Sequence, residues 1–341
     1  MPTESVNKPT DNTADDNALA ERVRAGDRRA LAKAITLLES TRPDHHKRAR
    51  TLLDTLLPDT GQSLRLGISG VPGVGKSTFI EAVGLALIAR GHKVAVLAVD
   101  PSSTVNGGSI LGDKTRMERL AVQDAAYIRP TPSSGTLGGV AERTREAILL
   151  CEAAKFDIVI VETVGVGQSE TTVAGMTDLF VLLQLPNAGD DLQALKKGVM
   201  ELADIVVINK CDLDPAAAER AESQITSALR TSRASGNPAH AEGTRTTQVL
   251  RVSARSGEGI QEFWSHASEL QKAHLASGRF AARRREQALA WTWDLVRAAL
   301  LTEFHRHPAV SAALPETLNA VIESRLAPAT AARTLLDLFV S

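Results

Sequence analysis

The run Gly70-Val71-Pro72-Gly73-Val74-Gly75-Lys76-Ser77-Thr78 constrains this chain more than any other stretch. It follows an apolar segment, Leu64 to Ser69, and opens a segment with helical spacing. A strand, a glycine-rich turn and a helix in that order aim successive backbone N–H groups at one point, where they attract negative charge. The pattern predicts a nucleoside triphosphate site. The turn cradles the α- and β-phosphates, Lys76 reaches the β and γ oxygens, and the Ser77 hydroxyl ligates Mg²⁺. A chance glycine turn does not explain a Lys-Ser pair directly after the last glycine. The fold class that follows is α/β, a P-loop NTPase with a doubly wound, mostly parallel sheet that carries its ligand at the carboxyl ends of the strands.

The apolar run Ile205 to Ile208 ends in Asn209-Lys210-Cys211-Asp212. A carboxylate at Asp212 can accept from both N1–H and the exocyclic amine of guanine, and adenine offers no such adjacent donor pair. Further on, Gln248 to Val252 leads into Ser253-Ala254, the Ser-Ala that in GTPases backs the base through a main-chain N–H. The tetrad lies after the phosphate loop and before Ser-Ala, which is the GTPase order. GTP and GDP are therefore the expected ligands.

Two more apolar runs deliver carboxylates: Lys93 to Val99 leads to Asp100, and Phe156 to Val161 leads to Glu162. Both acids should face the nucleotide. Glu162-x-x-Gly165 stands where GTPases commonly carry Asp-x-x-Gly, so Glu162 should hold a Mg²⁺-bound water and the Gly165 N–H should meet the γ-phosphate. Asp100 to Arg116 is long, polar and glycine-rich, and a triphosphate with Mg²⁺ can order it through Asp100, Asp113 and the backbone. Val166 follows Gly165 where signalling GTPases carry a water-orienting glutamine; the nearest glutamine is Gln168. Unless Gln168 or Asp100 takes that task, intrinsic hydrolysis is expected to be slow and to respond to a partner.

A chain of 341 residues exceeds what one hydrophobic core usually organises. Residues 1–16 are polar and read as a disordered tail, acidic and Arg-free, unlike a secretory signal or mitochondrial presequence. Ala18 to Leu38 and His45 to Leu57 show helical spacing, which makes 17–61 an N-terminal helical segment ahead of a GTPase domain over 62–276. Residues 277–341 read as a C-terminal helical arm, with a long helix from Phe280 to Phe304 carrying Trp291, Trp293, Leu295, Val296 and Leu300. That stripe fits packing against the body or against a second subunit. The triplet Arg283-Arg284-Arg285 does not argue for nucleic acid, because the net charge is −1 and no wider basic run exists. Only Cys151 and Cys211 are present and no run is apolar enough for a bilayer, so the expected compartment is the cytoplasm, with no membrane partner. His45-His46 and His305-x-His307 read as surface pairs rather than metal ligands, and Thr131 to Gly139 as a flexible turn.

Taken together, the phosphate loop, Asp100 to Arg116, Glu162-Thr-Val-Gly-Val-Gly-Gln-Ser-Glu170 and Asn209-Lys-Cys-Asp212 resemble the MeaB/ArgK family of P-loop GTPases, from about Asn17 to the C-terminus. The resemblance implies a G-protein chaperone of adenosylcobalamin-dependent methylmalonyl-CoA mutase, a homodimer joined through the C-terminal arm, that gates cofactor loading and protects or reactivates the mutase. By position it carries the Mg²⁺ and γ-phosphate roles to Lys76, Ser77, Asp100, Asp113 and Glu162. It also likens Gln184 to Gly198, with Asp190, Asp191, Lys196 and Lys197, to a segment that relays the nucleotide state. Two other readings attach to such chains: a kinase acting on a periplasmic amino-acid-binding protein, which lacks any acceptor-binding feature here, and metal delivery, which lacks a Cys-x-x-Cys or His-rich tract.

Overall fold

The computed structural model describes residues 13–40, 42–99, 116–131, 137–163, 169–187, 197–234 and 247–340. Three helices lead in: α1 (Thr13–Arg24), α2 (Arg28–Glu39) and α3 (Pro43–Leu56). Asp27 starts α2 as a cap, its carboxylate accepting from Arg29 N at 2.8 Å and Ala30 N at 3.2 Å; such a cap contributes about 1 kcal/mol. Helix α1 begins at Thr13, inside the segment expected to be disordered, because Asp16 is buried against the Arg48 guanidinium at 2.6 Å. The order at that point comes from a partner 32 residues away.

Each buried apolar run becomes a strand, and helices alternate with them. The order is β1 (Leu64–Gly70), α4 (Lys76–Ile88), β2 (Val94–Val99), α5 (Glu118–Ala121), β3 (Ala126–Thr131), α6 (Leu137–Ala153), β4 (Ile158–Thr163), α7 (Ser169–Ala174), β5 (Leu179–Gln184) and α8 (Lys197–Leu202), followed by β6 (Ile205–Ile208), α9 (Pro215–Ala234), β7 (Gln248–Arg251) and α10 (Ile260–Ala276). All seven strands are parallel, in the order β3-β2-β4-β1-β5-β6-β7. Strand β3, which sequence patterning did not single out, forms an edge, where Pro130 and its missing N–H are tolerated.

Alternation along the strands divides the core in two. Leu66, Ile68, Ile160 and Val181 face α4, α5 and α10; Val159, Val161, Phe180 and Leu182 face α6, α7, α9 and the N-terminal helices. With both faces covered, the strands read as apolar runs rather than as alternating ones. Chain order turns at β1, which lies between β4 and β5, so the loop after β1 opens at the switch point of the sheet.

The chain divides into two compact units, residues 1–284 and 285–341. Helix α11 (Arg279–Arg306) runs across the boundary, which falls eight residues after the expected start of the arm at 277. The cause is the Arg283-Arg284 pair. Arg284 donates to both Asp178 oxygens, at 2.8 and 2.7 Å, and to the carbonyls of Gly61 and Ser63 at 2.6 and 2.7 Å. Arg283 meets Asp204 at 3.2 Å. In the second unit, α12 (Pro308–Ile322) and α13 (Pro328–Val340) bury Val310, Ala331 and Leu335, and Phe304 stacks edge-on to Phe339. Trp293, Leu300, Leu301, Leu336 and Val340 are exposed there.

Candidate functional site

Gly70 closes β1 where an added Cβ would stand 2.6 Å from the Leu183 carbonyl oxygen, so only glycine lets the chain leave the sheet this close to β5. Gly75, at φ +94°, turns the chain into α4, and a Cβ there would meet Asn209 Nδ2 at 2.7 Å. Between them Pro72 and Gly73 are exposed, Val71 is partly so, and Val74 is buried as the anchor of the loop. Helix α4 begins at Lys76, with Ser77 on its first turn and Thr78 exposed beside it.

The Lys76 ammonium is buried beneath the loop and donates to the Gly70 carbonyl at 2.8 Å and the Val71 carbonyl at 3.3 Å. Burial pushes it below the ordinary lysine range, and the charges of Glu162 and Glu170 pull against that shift. Ser77 Oγ donates to Glu162 Oε1 at 3.1 Å, which brings the first turn of α4 to the end of β4. A hydroxyl and a carboxylate in contact make an oxygen-only donor set that suits a hard divalent cation, as Mg²⁺ is. These residues fit the ion. Asp100, Asp113, Gly165, Val166 and Gln168 lie outside the described residues, as do Asp190, Asp191 and Lys196; of Lys197 only the backbone is described. Among the described residues no three His, Cys, Asp or Glu side chains converge into a metal cluster.

The Asn209-to-Asp212 motif is stitched directly to the phosphate loop. Asn209 Nδ2 donates to the Val74 carbonyl at 2.8 Å, its Oδ1 accepts from Ala254 N at 3.1 Å, and Lys210 Nζ donates to the Gly73 carbonyl at 2.8 Å. Lys210 itself takes a left-handed φ of 61°. The Ala254 N–H donates to Asn209, which ties the last loop to the motif, and Ser253 N donates to the Glu258 carbonyl at 3.0 Å. Of the tetrad, Asp212 has the exposed side chain, and it borders a cleft of about 280 Å³ with Cys211, Pro215, Leu250 and Glu258. A larger cleft of about 770 Å³ lies among the N-terminal helices, where Arg48 is paired with Asp16 and Glu39 with Arg129. Size and chemistry point to different places: the convergent polar groups lie at the phosphate loop, not in the larger cleft.

Sequence reasoning gave no role of their own to the polar residues behind the loop. Thr163 Oγ1 donates to Ser69 Oγ at 2.8 Å, and Gln184, at the end of β5, is fully buried. Their signal in the sequence was faint: each is one polar residue closing an apolar run.

Comparison with known proteins adds to this geometry. A family model described as methylmalonyl Co-A mutase-associated GTPase MeaB matches residues 31–309. A putative GTPase of Caulobacter vibrioides is 53% identical over 325 residues, covering 95% of this chain and 98% of that protein. The mitochondrial methylmalonic aciduria type A homolog of Mus musculus is 47% identical over 327 residues, covering 93% of this chain and 77% of that protein. The crystal structure of a LAO/AO transport system kinase superposes with a TM-score of 0.75 at 39% identity, covering 98% of this chain and all of that one, 100%.

Proposed function

This chain belongs to the MeaB family and is a GTPase, and from that premise we propose that it is a G-protein chaperone of an adenosylcobalamin-dependent methylmalonyl-CoA mutase, gating cofactor loading and protecting or reactivating that enzyme. The client assignment is carried by the family match, which runs from α2 through the whole sheet to the start of α12. A relative named for methylmalonic aciduria supports it. The apolar residues that the second unit exposes, Trp293, Leu300, Leu301 and Leu336, support a homodimer joined through the C-terminal arm. No helix among the described residues is long and apolar enough to cross a membrane, in keeping with work in the cytoplasm.

In this reading the residues divide the work as follows. The backbone of Gly70 to Thr78 receives the phosphates, and Lys76 offsets charge on the group being transferred. Ser77 and Glu162 hold Mg²⁺ and its water, with Asp100 and Asp113 completing the set and the Gly165 N–H meeting the γ-phosphate. Bound Mg²⁺ supplies neutralisation of the β- and γ-oxygens. Asp212 reads guanine. Asn209 and Lys210, tied to the loop carbonyls, fix the base with it, and Ser253-Ala254 backs the base through a main-chain N–H. Because Ser77 touches Glu162 at the end of β4, loss of the γ-phosphate is felt by the chain that follows β4, and so by a bound partner.

The test is retention of purified methylmalonyl-CoA mutase on the immobilised full chain, in GDP and in a non-hydrolysable GTP analogue. Retention that differs between the two nucleotides is the expected result. No retention in either, with the chain still hydrolysing GTP, removes the client and leaves the GTPase standing.

A further inference from the structure

Ser69 on β1, Thr163 on β4 and Gln184 on β5 sit near the carboxyl ends of three neighbouring strands. They share the face of the sheet opposite α4, as the alternation shows: Val159 and Val161 precede Thr163 on that face, and Phe180 and Leu182 precede Gln184. The register places Gly70 beside Leu183, so Gln184 lies level with the first residues of the phosphate loop. Its main chain is fixed there, since the Gln184 carbonyl accepts from Asn209 N at 2.9 Å. Its side chain is 0% exposed, and among the described residues neither the amide nitrogen nor the amide oxygen has a hydrogen-bond partner.

Interiors rarely leave both ends of an amide unmatched, and a leucine would fill this site without that penalty. On the same face Thr163 and Ser69 carry linked hydroxyls, and Ser69 pairs with Leu182, two residues before Gln184. The buried carboxylate Glu170, on α7 of the same face, bears electrostatically on Lys76, so this layer reaches the phosphate-binding lysine. A buried donor and acceptor on the same face as two hydroxyls supply the two to four polar partners that an ordered water needs.

We propose that Gln184 is a positioning residue for GTP hydrolysis: its amide, with the Ser69 and Thr163 hydroxyls, holds an ordered water beneath the phosphate loop. That water braces Gly70 and Val71, whose carbonyls in turn hold Lys76. The inference rests on the assignment of Gly70 to Thr78 to the phosphates, and not on the identity of any client.

The experiment is steady-state GTP hydrolysis and thermal melting of the full chain as Gln184→Leu, Gln184→Met and Gln184→Glu, with Lys76→Ala alongside. Gln184→Leu should melt no lower than the parent and keep KM within about twofold, while kcat falls roughly tenfold, the worth of one well-made hydrogen bond network in a rate. Gln184→Glu, which retains polar atoms at the same reach, should recover part of kcat. Should Gln184→Leu fail to fold, Gln184→Met carries the same expectation. A folded Leu or Met variant with the parent's kcat overturns the proposal, whether or not its melting point moves. Parent-level turnover by Lys76→Ala would instead remove the phosphate-loop assignment and the proposal with it.

Discussion

The two ends of the parallel sheet treat charge in opposite ways. At the amino ends of the strands, Arg65 and Glu152 pair at 2.8 Å, Glu152 also accepts from Ser63 Oγ and Gly61 N, and Arg284 locks Asp178. Each of these charges meets a fixed protein partner. At the carboxyl ends, Lys76 and Lys210 donate to loop carbonyls, Asp212 is exposed, and Gln184 has an unmatched amide. Charge satisfied within the protein serves stability; charge held against weak neutral partners is kept for something that arrives from outside.

The contrast is broken most directly by exchanging its terms. Lys76→Ala should lower single-turnover phosphate release by on the order of a thousandfold, as loss of one preorganised charge at the reacting group does. Its melting point should hold, because the mutation removes a buried ammonium bound only by carbonyls. If it unfolds the protein instead, the two ends are not different in kind. Arg284→Ala should behave in the opposite manner. It strands Asp178, whose side chain is 2% exposed, without its cation, and breaking such a pair costs about 3–5 kcal/mol in denaturant unfolding. GTP turnover at a temperature where the variant is folded should stay at the parent's rate.

Smaller effects sharpen the same division. Asp212→Asn should exchange preference from guanine to xanthine nucleotides by roughly a hundredfold, measured by competitive binding; unchanged base selectivity would remove Asp212 from the base site. For Glu152, burial, the largest single influence, pushes the carboxyl up, but the hydrogen bonds and charge of Arg65, with Ser63 and Gly61, bring the balance below the usual range. A folded value below the unfolded one means that this stabilisation is complete above the unfolded carboxylate value of 4.5 and is lost as pH falls through the lowered folded value. Melting curves should therefore decline more steeply below about pH 4.5 for the parent than for Glu152→Gln, which is already weaker at neutral pH. Parallel acid limbs would show that the pair is not what fails in acid.

Much of the nucleotide end was legible in the order of residues. Glycine, lysine and serine at set intervals after an apolar run describe a backbone path and a charge together, so the loop from Gly70 to Thr78 and the tetrad from Asn209 to Asp212 could be placed before any coordinates. The strands β1, β2, β4, β5 and β6 announced themselves because a sheet covered on both faces needs continuous apolar runs. Strand β3 did not, since Ala126-Tyr127-Ile128-Arg129-Pro130 is short, interrupted by an arginine, and ends in a proline that an edge position tolerates. The role of the Arg283-Arg284 pair was not legible because its partners, Asp204 and Asp178, lie 79 and 106 residues earlier in the chain.

Local chemistry is written along the chain: which backbone segments can curl around phosphate, which base a carboxylate can read, where apolar runs must be buried. Contacts between distant segments are not, because each depends on the packing of elements that meet only after the chain has folded. The sequence therefore specified a guanine nucleotide site and a doubly covered parallel sheet. Folding alone turned Asn209 onto the phosphate loop, committed Arg284 to Asp178, and left the Gln184 amide buried without a partner, since burial and hydrogen bonding are properties of an environment rather than of a residue.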